Sequence, residues 1–178
     1  GIYIFSWKVL RDSLLELSNV AGCDFGKHII PHVFNNGGRI FSYEYNGYWK
    51  DVGTLESYWE ANMGLVDIIP EFNLYEEYWK IYTKGDIITP QYIASTSVIN
   101  KSIIGEGVEI YGEVNNSVIG AGVVIEEGAV VNDSIVMKGS RIGANSKINK
   151  AIIAENSVVG KDCEIGAFEF CESKYDKK

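Results

Sequence analysis

The sequence predicts a mixed α/β region over residues 1–69, a connector over 70–92, a parallel β-helix over 93–170 and a tail over 171–178. Two observations carry this division. Apolar residues recur at helical spacing in three stretches before Pro70, and after Ile93 the texture changes to short Ile and Val runs punctuated by Gly, Asn and Ser.

In the first region, Gly1-Ile2-Tyr3-Ile4-Phe5 alternates as a strand does, with no initiator Met before it, so the chain reads as part of something longer. Leu10, Leu14 and Leu17 then mark a short amphipathic helix that Ser6 is placed to cap. A second helix is expected from Lys27 to Phe34, with Ile29, Ile30, Val33 and Phe34 on one face. Asn35-Asn36-Gly37-Gly38 stops it, and Pro31 argues against its regularity.

Phe41, Tyr43 and Tyr45 alternate with polar residues before Asn46-Gly47, which predicts a hairpin presenting Trp49 and Asp51 near its turn. Thr54 is placed to cap a third helix through Leu55, Tyr58, Trp59, Asn62 and Val66. The stretch from Pro70 to Tyr92 has no sustained period but keeps Leu74, Tyr78, Trp79 and Ile81, and so is expected to be a packed connector.

The repeats follow a fixed arithmetic. Ile119, Ile125 and Val131 lie six apart, as do Val136, Ile142 and Ile148, then Ile153, Val159 and Ile165, and each triplet starts 17 residues after the last. Ser102-Ile103-Ile104, Ser117-Val118-Ile119, Ser134-Ile135-Val136 and Ala151-Ile152-Ile153 mark one place in successive coils at spacings of 15, 17 and 17, so the first coil is expected to be shortened. A six-residue unit with one inward aliphatic makes one face of a triangular coil. No coil buries its aliphatic ring alone, so the coils stack.

Composition limits the function classes. A formal charge of -8 without any basic run gives no footprint for a nucleic-acid backbone. No apolar stretch is long enough to span a bilayer and the N-terminus lacks a signal-peptide pattern, so a cytoplasmic protein is expected. Cys23, Cys163 and Cys171 fall into neither a zinc spacing nor an even disulfide framework.

Hexapeptide repeats resemble the left-handed parallel β-helix family, which occurs in acyltransferases and beside sugar nucleotidyltransferases. The acyltransferase chemistry needs a general-base His between coils, and His28 and His32 both precede the repeats. The N-terminal strings decide between the two. Gly1-Ile2-Tyr3-Ile4-Phe5, Asp24-Phe25-Gly26-Lys27-His28-Ile29-Ile30-Pro31 and Tyr48-Trp49-Lys50-Asp51-Val52-Gly53-Thr54 stand in the order seen in bacterial glucose-1-phosphate adenylyltransferases, the ADP-glucose pyrophosphorylases. Leu55-Glu56-Ser57-Tyr58-Trp59-Glu60-Ala61-Asn62-Met63 and Pro70-Glu71-Phe72-Asn73-Leu74-Tyr75 resemble that family too, whereas Cys23 stands where members often have His.

The resemblance implies the C-terminal piece of an α/β, Rossmann-like nucleotidyltransferase domain followed by a left-handed parallel β-helix. It implies formation of ADP-glucose and pyrophosphate from ATP and glucose 1-phosphate, in glycogen synthesis. Mg²⁺ is the implied cofactor, with Asp51 as catalytic residue and metal ligand, and Tyr3, Asp24, Phe25 and Trp49 form the implied glucose 1-phosphate pocket. The partner carboxylate and the ATP-binding half would lie upstream, so this piece alone is expected to be inactive.

Members are usually tetramers, of one chain or of two paralogues, controlled by phosphorylated metabolites. Arg141, Lys147, Lys150 and Lys161 are the basic candidates for such an effector. A non-catalytic regulatory subunit is the alternative. Read from pattern alone, Asp51-Val52-Gly53-Thr54 is a turn and helix entry, Asp24 a cap, Phe25 and Trp49 core aromatics and Tyr3 a strand residue.

Overall fold

A computed structural model describes residues 2–82, 85 and 88–166, and divides into two compact units, Gly1–Gly47 and Tyr48–Lys178. Cys171 and the last residues assigned to the β-helix and the tail, 167–178, lie outside the described residues. Among the described residues, no helix is long and apolar enough to cross a membrane.

The first unit is built on helix α1 (Trp7–Glu16) and helix α2 (Ile30–Asn35), with a π-helical turn over Phe25–Ile29 leading into α2. Ile29 and Val33 are its buried aliphatics. Pro31 explains the irregular entry. It lies in the first turn of α2, where its missing N–H costs nothing, and the preceding turn widens so that the Ile30 N–H donates to the Phe25 carbonyl. At the other end Gly37 takes a left-handed φ of 76°, and the Gly38 N–H donates back to the Val33 carbonyl at 2.9 Å.

Three expectations for this stretch are corrected. Ser6 stands at the N-cap of α1, but its side chain makes no capping bond. Neither the strand at 2–5 nor the hairpin at 41–49 forms: no strand precedes Tyr92 among the described residues, and Phe41 and Tyr43 are exposed. Alternation supplies an apolar face, but a strand also needs a ladder partner and a lone hairpin is marginal in water.

In the second unit helix α3 (Leu55–Met63) starts at a full capping box, in which Thr54 Oγ1 accepts from the Ser57 N–H and Ser57 Oγ from the Thr54 N–H. A 3₁₀ turn (Gly64–Val66) ends it and buries Val66. The connector is not packed as expected. Leu74, Tyr78, Trp79 and Ile81 are exposed because an aperiodic segment presents no single face, while Phe72 is anchored by stacking on Tyr48 at 5.2 Å.

The rest is a parallel β-solenoid. Its first coil is β1 (Tyr92–Ile93), β2 (Val98–Asn100) and β3 (Ile103–Ile104). The second is β4 (Glu109–Ile110), β5 (Glu113–Asn115) and β6 (Val118–Ile119), and the third is β7 (Val124–Ile125), β8 (Val130–Asn132) and β9 (Ile135–Val136). A fourth, β10 (Arg141–Ile142), β11 (Lys147–Asn149) and β12 (Ile152–Ile153), is followed by β13 (Val158–Val159) and β14 (Glu164–Ile165). Every third strand pairs in parallel, giving three sheets: β1-β4-β7-β10-β13, β2-β5-β8-β11-β14 and β3-β6-β9-β12.

The predicted triplets are the core. Ile119, Ile125, Val131, Val136, Ile142 and Ile148 are at most 1% exposed, and Ile153, Val159 and Ile165 close the stack. Apart from the β1–β2 and β4–β5 corners, each corner turns on a left-handed residue at a fixed place: Lys101, Asn116, Asp133 and Lys150 in one column, Gly107, Gly122, Gly139 and Asn156 in a second, Gly128, Asn145 and Asp162 in a third. The short spacing comes from one corner. Only Tyr111 and Gly112 join β4 to β5, where Glu126, Glu127, Gly128 and Ala129 join β7 to β8. A Cβ on Gly112 would stand 2.3 Å from the Ala129 carbonyl oxygen of the next coil, so the tight corner requires glycine.

Serines extend the ladder through the corners. The N–H groups of Ser117, Ser134 and Ala151 each donate at 3.1 Å to the hydroxyl one coil back, on Ser102, Ser117 and Ser134. Those hydroxyls donate in turn to the carbonyls of Asn100, Asn115 and Asn132. Ser134 is fully buried, so Ser134→Ala leaves the Ala151 N–H without its acceptor, while the Asn132 carbonyl keeps only the Lys150 N–H at 3.1 Å. Chemical denaturation is expected to show a loss of about 2 kcal/mol.

Candidate active site

Tyr3 and Phe5 lie two apart in an extended entry segment, and both meet Phe25 at the start of the π turn. Tyr3 stacks on Phe25 with ring centroids 5.9 Å apart and planes 7° from parallel, while Phe5 tilts against Phe25 at 5.8 Å. Asp24 caps the turn: its Oδ1 accepts from the Lys27 N–H at 2.7 Å, and its own N–H donates to His28 Nδ1 at 3.0 Å. Gly26 lies between Asp24 and Tyr3, since a Cβ there would stand 3.4 Å from Asp24 Oδ1 and 3.9 Å from the Tyr3 hydroxyl. A flat, half-exposed aromatic wall thus borders a fixed carboxylate, which suits the C–H face and hydroxyls of a sugar.

The capping reading of Asp24 and a binding role do not compete. One carboxylate oxygen fixes the side chain and the other has no partner among the described residues.

In the second unit the segment Tyr48–Thr54 is held at alternate positions. Tyr48 stacks on Phe72, Lys50 Nζ meets Glu60 Oε2 at 2.6 Å, and Thr54 caps α3. The hydrogen bond to Glu60 raises the Lys50 ammonium above its ordinary range. Trp49 and Asp51 between them are exposed. Asp51 Oδ1 accepts from the Gly53 N–H at 3.1 Å, closing an Asx turn that aims the carboxylate, and Oδ2 has no partner among the described residues.

Tyr3, Asp24 and Phe25 are therefore brought together in one unit, and Trp49 and Asp51 are held two residues apart in the other. Sequence reasoning missed Lys50–Glu60, Tyr48–Phe72 and the Gly26 gap. The first two join residues far apart in the chain and leave no periodic trace. Among the described residues no group of three or more His, Cys, Asp or Glu is arranged to hold a metal ion.

Two family models match the chain. Residues 1–67 match the family model described as "Nucleotidyl transferase", and residues 88–175 match "GlmU-like, C-terminal hexapeptide". A glucose-1-phosphate adenylyltransferase of Lachnospira eligens is 73% identical over 127 residues, 71% of this chain and 30% of that protein. Those of Fervidobacterium nodosum and Thermosipho africanus are 48% and 52% identical over the whole chain, which covers 43% of each.

The chain belongs to the glucose-1-phosphate adenylyltransferase family. It spans 30 to 43% of the length of these curated relatives.

In this adenylyltransferase-family chain the basic residues of the solenoid do not share a face. Arg141 stands outward on β10 and donates from Nε to Glu126 Oε1 at 2.6 Å. Lys147 is exposed on β11 in a different sheet, Lys150 turns the corner after it with its ammonium 5.3 Å from the Trp59 ring centroid, and Lys161 is exposed in the turn after β13.

Hydrogen bonds from the Arg141 guanidinium, then from the Ala144 N–H, hold the Glu126 carboxyl below the usual range. A depressed folded-state value contributes stability that is present above the unfolded carboxylate's range and is lost as pH falls through the folded value. A carbon NMR titration is expected to place the Glu126 midpoint below that of glutamate in an unstructured peptide, and Arg141→Gln to move it back up.

Proposed function

We propose that the chain supplies the glucose 1-phosphate side and the solenoid of an enzyme that makes ADP-glucose and pyrophosphate from ATP and glucose 1-phosphate. The observation that carries this reading is the match to glucose-1-phosphate adenylyltransferases over the whole chain. In the reaction an oxygen of the sugar phosphate attacks the α-phosphorus of ATP, and the bond from that phosphorus to the bridging oxygen breaks as pyrophosphate leaves.

Within the first unit Tyr3 and Phe25 offer apolar faces to the glucose ring, and Asp24 offers an acceptor to its hydroxyls. Asp51 fits a divalent cation as a single ligand. Its carboxylate is exposed, fixed by one oxygen and open at the other, which suits Mg²⁺, a cation usually held by one or two carboxylates and completed by substrate phosphates and water. Bound there, Mg²⁺ screens the two polyanions and stabilises charge on the phosphoryl oxygens. The reading extends to a tetramer controlled by a phosphorylated metabolite, for which the exposed Lys147 and Lys161 offer positive charge.

The test is ADP-glucose formation by the full-length protein from ATP, glucose 1-phosphate and Mg²⁺. Robust turnover is expected. A silent protein that acts only when mixed with a paralogous subunit would assign the chain to a regulatory subunit instead.

A further inference from the structure

Helix α3 is fastened at both sides within the second unit. At its start the Thr54–Ser57 capping box and the Lys50–Glu60 pair tie it to the segment that carries Asp51. On its solenoid side the Trp59 indole N–H donates to the Asp133 carbonyl at 2.7 Å, and Lys150 Nζ lies 5.3 Å over the indole ring. Just past the helix, Asp67 pairs with Lys101 at 2.7 Å.

All three solenoid partners belong to one column of left-handed corner residues, Lys101, Asp133 and Lys150, with φ of 41°, 47° and 47°. Lysine has no intrinsic reason to occupy that conformation, which Gly and Asn adopt more readily. Here both lysine side chains are used on the α3 side. The corner leads into the sheet β3-β6-β9-β12, whose outward residues Ile103, Val118, Ile135 and Ile152 are all aliphatic. Ile135 faces outward yet is only 3% exposed. The outward column of the first sheet, by contrast, includes Tyr92, Glu109 and Arg141.

We propose that Trp59 is a positioning residue for Asp51. The indole pins α3 to the solenoid corner, the first turn of α3 holds the Asx turn of Asp51, and the solenoid thereby fixes where that carboxylate stands. This rests on the reading of Asp51 as a metal ligand.

The test compares the full-length protein with Trp59→Phe, which keeps an aromatic ring but removes the N–H along with the second ring of the indole, with Lys150→Met, and with Asp51→Asn. Two quantities are read: the Mg²⁺ concentration at half-maximal rate, and hydrogen exchange at the Gly53 and Ser57 amides. Trp59→Phe is expected to raise the Mg²⁺ requirement about fivefold, the shift that loss of one ordinary hydrogen bond allows, with a smaller change in kcat at saturating Mg²⁺. Protection at Gly53 and Ser57 falls with it, and Lys150→Met moves both readouts less in the same direction.

Unchanged protection at Gly53 and Ser57 in Trp59→Phe overturns the proposal. So does a lowered melting temperature with an unmoved Mg²⁺ requirement, because packing alone would then account for Trp59. If protection falls while neither Trp59→Phe nor Asp51→Asn alters the Mg²⁺ dependence, the reading of Asp51 is what fails, and the positioning role falls with it.

Discussion

Asp51→Asn is expected to lower ADP-glucose formation by the full-length protein on the order of 10²- to 10³-fold, matching the several kcal/mol that a correctly held cation contributes. The substitution separates charge from geometry. The Asn side-chain oxygen still accepts from the Gly53 N–H, so the turn, the Thr54 cap and the Lys50–Glu60 pair survive and the melting temperature should not move. What is lost is one negative charge on an exposed oxygen. Raising Mg²⁺ should restore part of the rate if the residue binds the cation. Unaltered kinetics with an unaltered Mg²⁺ requirement would remove Asp51 from the metal site and leave it as a helix-entry residue.

The solenoid was legible in the sequence because its physics is periodic. One inward aliphatic per six residues assigned Ile119, Ile125 and Val131 to three different faces, and the structure buries all three. The 15-residue spacing predicted a shortened first coil; a coil is shortened, but the structure locates the cut at Tyr111–Gly112, in the second coil counted from β1.

The first region was less legible, because its signals were local and its constraints are not. Alternation at Tyr3 and Phe5 predicted a strand; the side chains instead gather on Phe25, twenty residues and more away. Thr54 and Asp24 were readable as caps because capping acts over three residues. The bond from Trp59 to Asp133 crosses 74 residues and leaves no pattern at either end. In the candidate site, residue types and order came from a family resemblance, whereas the Asx turn at Asp51 and the stack of Tyr3 on Phe25 had to be seen.

Ile125→Ala is expected to cost about 4 kcal/mol, and Ile99→Ala only about 2 kcal/mol, by chemical denaturation followed at the same wavelength. The chemistry removed is identical, so the difference isolates position. Ile125 is fully buried in the third coil, with Ile110 below it and Ile142 above in the same sheet; a cavity there strips contacts from both neighbours. Ile99 is half-buried in the first coil and has a ladder partner, Val114, on one side only. In a stacked array each coil is stabilised mainly by its nearest neighbours, so a central defect disconnects two shorter stacks while an end defect frays one coil. Equal losses at the two positions would mean that the first coil is covered as completely as the third, and that the stack behaves as one uniform core.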